Sequence, residues 1–245
     1  MRSTAFNLSF YLFTAIMAIL CIPLLLVPGR KALAGVMHWW AQRVLGLMDH
    51  IGGISVEVLG KENLPNGTPA IIAGKHQSEV DGIILLAHVP QLTFIAMKEL
   101  LEYPVVGAVL RKLQMIMVDT CGGDTQRDLV NKGASEALER GDSILIYPEG
   151  QLVPAGQKAS YKKSIWHMYN NLKVPVIPIA TNIGLNWPER GWQKFPGRGT
   201  ISVLPPIPPG MEKDAFMMLL EEQMEMESDR LIALQRQPEA LLETA

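Results

Sequence analysis

The sequence predicts an α/β protein: a central, largely parallel seven-stranded sheet flanked by helices, preceded by an N-terminal membrane-embedded helical segment. Three observations carry this. Residues 3–29 hold no charge over 27 positions. Beyond Gly53, short apolar runs alternate with stretches of helical periodicity, the pattern of strands joined by helical crossovers. Several of those runs, Ile144-Leu145-Ile146 among them, are apolar without alternation, as strands covered on both faces are.

The uncharged stretch lies between Arg2 and the pair Arg30-Lys31. Its apolar centre, Ala5–Val27, exceeds the ~20 residues a spanning helix needs. Neither Cys21-Ile22-Pro23 nor Val27-Pro28-Gly29 offers the small-x-small site of a cleaved signal, so the stretch reads as an anchor. Pro23 leaves both a crossing and a re-entrant path open. From Lys31 to Met48 one helical stripe carries Leu33, Met37, Trp40, Val44 and Met48, and the tryptophans Trp39 and Trp40 suit a membrane–water interface. Residues 1–50 are therefore expected to be membrane-anchoring helices and 51–245 the α/β domain. Strands are expected at Ile54–Leu59, Ala70–Gly74, Thr93–Met97, Met115–Asp119, Ser143–Tyr147, Val174–Asn182 and Thr200–Leu204. Helices are expected at Glu79–His88, Asp124–Arg140, Ser160–Leu172 and Met211–Leu234. Between the last strand and the last helix, Pro205-Pro206-Ile207-Pro208-Pro209 makes a stiff extended connector.

The net charge of −2 excludes the strong basic excess of a nucleic-acid binder. Charge is unevenly spread. Residues 151–198 carry seven Lys/Arg against Glu189 alone, a stretch suited to anionic headgroups or an acidic carrier, whereas residues 211–245 carry nine Asp/Glu against three basic residues. Two cysteines, Cys21 in the apolar segment and Cys121 in a turn-like stretch, do not make a disulfide framework and suit a reducing cytoplasmic setting. No His/Cys/Asp spacing suggests a metal, and neither a Gly-x-Ser-x-Gly elbow nor a phosphate-binding Gly-x4-Gly-Lys loop is present.

Two short motifs can carry chemistry, each directly after an apolar strand. In Lys75-His76-Gln77-Ser78-Glu79-Val80-Asp81, His76 falls on a strand-to-helix turn at the carboxyl edge of a sheet, where open α/β folds bind ligands. From the first turns of the next helix Asp81 can reach back to it, and a carboxylate on one imidazole nitrogen fixes the tautomer and stabilises imidazolium. In Tyr147-Pro148-Glu149-Gly150, proline ends the strand and glycine permits a sharp turn and a close ligand approach. His38, His50, His88 and His167 read as structural.

These motifs stand in an ordered series: His76-x4-Asp81, Met115-Ile116-Met117-Val118-Asp119, Tyr147-Pro148-Glu149-Gly150 and Val174-Pro175-Val176-Ile177-Pro178-Ile179. In order and spacing they resemble the four blocks of the lysophosphatidate (1-acylglycerol-3-phosphate) O-acyltransferases, and the apolar N-terminus and Pro-rich tail resemble bacterial members. The resemblance implies a membrane-bound enzyme, with its domain on the cytoplasmic side of the cell inner membrane. His76, held by Asp81, would take the proton of a lipid hydroxyl that attacks an acyl thioester, and backbone N–H groups after His76 would stabilise the oxyanion. It implies no cofactor and no metal, acyl-carrier protein or acyl-CoA as co-substrate, and membrane lipids as partners. Glu149, Gly150, Gln151 and Lys98 would bind the acceptor. The chain departs from the family where Thr120 follows Asp119, where Gln151-Leu152 follows Glu149-Gly150, and where Met97 precedes Lys98; cations usual at these places are missing. The expected acceptor is therefore a lyso-aminolipid without phosphate, resembling lyso-ornithine lipid, with Lys98, Lys158, Lys162 and Lys163 as replacement cations should it be a phosphate. The alternatives are a 1-acylglycerol-3-phosphate acyltransferase making phosphatidic acid, and an inactive lipid-binding or membrane-shaping protein.

Overall fold

The computed structural model describes residues 1–119 and 123–236, the side chains of 123–127 excepted. Seven strands form one sheet: β1 (Ile54–Leu59), β2 (Ile71–Gly74), β3 (Leu92–Met97), β4 (Ile116–Val118), β5 (Ser143–Ile146), β6 (Val176–Thr181) and β7 (Gly197–Val203), in the order β1-β7-β6-β2-β5-β3-β4. The five strands from β6 to β4 are parallel. Strand β7 returns antiparallel to β6 and carries β1 parallel beside it, so the sheet is largely parallel, as expected.

The two faces are filled by alternate residues of the same strands. Ile72, Leu145 and Ile177 point into a core with Trp40, Val44, Ile84 and Leu85. Ile71, Ala73, Ile144 and Val176 point into the opposite core, with Ala134, Ile165, Met168, Phe216 and Leu220. On the first face lie α1 (Arg2–Leu26), α2 (Lys31–Leu47) and α3 (Asp81–His88); on the second lie α5 (Gly123–Glu139), α6 (Ser164–Leu172) and α7 (Lys213–Arg236). Strands buried on both sides need no alternation, which is why the central runs are uniformly apolar.

One helix, α4 (Pro104–Lys112), has no counterpart in the sequence expectations. Its β-branched Val105, Val106 and Val109 have weak helix propensity, yet Pro104 opens it at the first helical position, where a missing N–H costs nothing. The Pro-rich connector is extended, and Ile207 bridges back to Val176.

Helix α1 runs through Pro23 without a break in assignment. It is long and apolar enough to cross a membrane, and its two sides differ in what they meet. Phe6, Met17 and Cys21, with the partly buried Phe10, Phe13 and Leu24, form an inner stripe against the protein. Leu8, Leu12, Ile19, Ile22 and Leu26 form an outer, exposed stripe at helical spacing. Polar bonds fasten its start to the α/β domain: Arg2 donates to Ile51 O, Ser3 to Lys194 O and Asn7 to Trp192 O. Its end is held by the Lys112 ammonium, which donates to Leu25 O and Val27 O.

Candidate active site

Parallel strands deliver their carboxyl ends to one edge, and the two motifs exit there side by side. The register Ile71↔Ile144, Ala73↔Ile146 brings the residues after β2 next to those after β5. His76 leaves β2 and stacks its ring on Tyr147, which leaves β5, at a centroid distance of 3.8 Å and 11° between planes. Gly82 makes this packing possible from the far side. A Cβ there would come 2.9 Å from the Phe94 ring and 3.3 Å from the Tyr147 hydroxyl.

Asp81 opens α3 and folds back over the turn. Its Oδ2 lies 3.2 Å from His76 Nδ1 and accepts the N–H groups of Gln77 and Ser78, each at 2.8 Å. Burial pushes the Asp81 carboxyl above its ordinary range, while His76 and the two N–H groups pull against that shift. An ionised Asp81 can only accept, so Nδ1 carries the imidazole proton and the Nε2 lone pair is left for the cavity that His76 lines. Burial and the Asp81 carboxylate push the Tyr147 hydroxyl well above its ordinary value, so it stays protonated beside the imidazole.

Three N–H groups around His76 already have carboxylate partners. Gln77 and Ser78 donate to Asp81, and His76 N–H donates to Glu149 Oε2 at 2.9 Å.

Of the four side chains expected to contact the acceptor, two line the cavity and two do not. Gly150 and Gln151 line it, Gly150 at a φ of 65° that favours glycine. Glu149 is buried, facing the His76 N–H on one oxygen and Lys75 Nζ at 2.7 Å on the other. Burial raises its carboxyl, and the Lys75 ammonium opposes the rise. Lys98 pairs with Asp119 and does not line the cavity. Of the departures from the expected blocks, Met97 and Leu152 do line it, whereas Thr120 lies outside the described residues.

Sequence reasoning found neither Lys75 nor its partner Glu225. The Lys75 ammonium, almost fully buried, also pairs with Glu225 of α7 at 2.5 Å, and Tyr161 donates to the same Glu225 oxygen at 3.1 Å. A lysine closing a fully buried strand demands countercharge, and that was the available signal. The cavity itself holds about 1700 Å³. It runs from His76, Tyr147 and Gly150 between α2, α3 and α4 to Arg30, Arg140 and Asp142 at the opposite edge of the sheet. There Arg30 pairs with Asp142 at 2.7 Å, joining the α1–α2 turn to the start of β5.

A model of the Acyltransferase family matches residues 55–182, the span that includes the His76 and Glu149 motifs. The 1-acyl-sn-glycerol-3-phosphate acyltransferase of Pseudomonas aeruginosa is 33% identical over 189 residues, covering 77% of this chain and 72% of that one. The alpha form of that enzyme from Mus musculus is 28% identical over 207 residues, covering 82% and 71%. In fold, the chain resembles the crystal structure of the 1-acyl-sn-glycerophosphate acyltransferase of Thermotoga maritima, with a TM-score of 0.77 at 22% identity over 94% of this chain and 98% of that one. The family match, together with the Pseudomonas relative, places this chain in the Acyltransferase family, and it is an acyltransferase.

Proposed function

We propose that the protein moves a fatty acyl group from an acyl thioester to the free hydroxyl of a lyso-lipid, with His76 as general base and Asp81 as its orienting carboxylate. The observation that carries this is the Asp81–His76 pair, held at 3.2 Å with the second ring nitrogen left for a large, mainly apolar cavity. In the reaction His76 Nε2 takes the hydroxyl proton as the oxygen attacks the thioester carbonyl. The C–S bond then breaks, and the imidazolium returns the proton to the leaving thiolate. The donor is acyl-carrier protein or acyl-CoA. The outer stripe of α1 is the face that meets lipid, residues 1–50 serving as anchor and 51–245 as the α/β domain, and the site works on the cytoplasmic side of the inner membrane.

The acceptor we favour is 1-acylglycerol-3-phosphate, which the names of the relatives in Pseudomonas and mouse support. One observation favours a lyso-aminolipid instead: Met97 and Leu152 bring no charge to the cavity at positions where the resemblance leads one to expect cations.

Purified full-length protein, given an acyl thioester and each acceptor in turn, tests both readings. His76→Ala should lower turnover at least ~10²-fold, within the usual range for general-base catalysis, and Asp81→Asn should cripple it by disorienting the ring. A folded His76→Ala variant within a few-fold of wild type would sink the mechanism.

A further inference from the structure

We infer that Lys162 receives the anionic group of the acceptor's head, an inference that rests on the acyl-transfer reading above. The Lys162 N–H donates to Pro148 O at 2.8 Å, which pins the lysine backbone beside the exit of β5. From there its side chain lies directly across Gly150: a methyl group on that glycine would collide with Lys162 Nζ, Cε and Cδ. The absent side chain at Gly150 is thus the opening through which the ammonium reaches the cavity, which Lys162 lines together with His76, Tyr147 and Gln151.

The other cations are placed or engaged elsewhere. Lys158 pairs with Asp229 at 2.8 Å, Lys98 pairs with Asp119, and Lys163 does not line the cavity. Arg30 and Arg140 do line it, but both face Asp142. Lys31 adjoins Arg30 in that same turn. These three sit at the entry of β5, whereas Tyr147 marks its exit; five residues of strand separate the ends by ~16 Å. Among the described residues, Lys162 is therefore the cation that lines the cavity at the catalytic end, and no carboxylate among them pairs with it.

Position and chemistry agree. Glu149 holds the His76 N–H and Gly150 follows it, so an ammonium over Gly150 stands beside the base. A lyso-lipid with its hydroxyl on His76 Nε2 has its charged head within a few bonds of that hydroxyl. An ammonium is a compact charge with three rotatable donors, suited to a phosphate or a carboxylate without the fixed geometry a guanidinium imposes. Glu79, exposed on the His76 turn and also lining the cavity, bears the opposite charge, so the site distinguishes the two sides of a headgroup.

Binding to a variant that cannot turn over separates this inference from the catalytic one. Full-length His76→Ala is compared with His76→Ala/Lys162→Met and His76→Ala/Lys162→Arg by titration with short-chain 1-acylglycerol-3-phosphate, neutral 1-acylglycerol and a monoacyl amino-acid lipid bearing a free carboxylate. Methionine should weaken the phosphate lipid about tenfold or more, arginine should stay within about threefold of lysine, and the neutral lipid should bind all three proteins alike. The loss on methionine should shrink as salt rises, because the attraction is screened. If the carboxylate lipid alone is weakened, Lys162 remains the anion's partner and the head is an amino acid. An unchanged affinity for both anionic lipids overturns the inference, and so does an equal loss for the neutral one. Absence of acyl transfer by wild-type protein would remove the catalytic reading and leave this binding comparison standing.

Discussion

At the scale of single residues, the site is governed by where its carboxylates sit. Asp81 is buried, and its raised pKa means the folded protein binds that proton more tightly than the unfolded chain does. The sign follows: its contribution to stability is complete below the ordinary carboxylate value of about 4 and is lost as pH rises through the folded value. Asparagine keeps the shape without the charge. The melting temperature of Asp81→Asn relative to wild type should therefore climb from about pH 4 towards neutrality, measured by thermal unfolding across that range. A gap that does not change with pH would show that Asp81 carries no such penalty. The stability lost at neutral pH is what an ionised, orienting carboxylate costs the fold.

At the scale of elements, α1 has two faces with separate tasks. Phe6 is fully buried, its ring edge-on to Trp187 at 5.3 Å. Ile19 lies on the outer stripe and touches the α/β domain little. Phe6→Ala should thus destabilise the protein by about 3–5 kcal/mol, read from denaturant unfolding in detergent. Ile19→Ser should leave that midpoint within about 0.5 kcal/mol and instead weaken binding to lipid vesicles. Reversal of the two effects would mean the stripes have been assigned to the wrong partners. The strands were legible in the sequence to within two residues at most ends, because burial on both faces makes the central strands mostly apolar. Helix α4 was not, because its valines speak for a strand and its packing overrides them. His76 and Asp81 could be paired from spacing alone, since a turn of five residues is local. Lys75 with Glu225 could not, because 150 positions separate them and their proximity is a product of the sheet order.

At the scale of the whole molecule, that ion cluster ties together the ends of β2 and β5, Tyr161 in the segment before α6, and helix α7. Helix α7 lies beyond residues 55–182, yet it supplies a carboxylate to the lysine next to His76, and its Ser228 receives the Gln77 amide at 2.9 Å. Removing the cation leaves two carboxylates buried together. Lys75→Met should cost about 3–5 kcal/mol, the usual penalty for an orphaned buried charge. Adding Glu149→Gln to it should recover part of that loss, which a double-mutant cycle on unfolding free energies measures. Strict additivity of the two changes would show that the pair is not coupled.

Fastening at both ends gives α1 one more property. A helix held only at its base can swing, and whatever it anchors rides above the bilayer like a moored boat. Here Arg2, Ser3 and Asn7 grip one end and Lys112 the other, so the outer stripe is tied at both ends to the domain that holds the cavity. If the proposed anchor is immersed, it would set the tilt of the enzyme and the elevation of its opening in the same act. On the proposed function, a lipid moving laterally in its own leaflet would meet the opening at constant height, and capture would become a search in two dimensions.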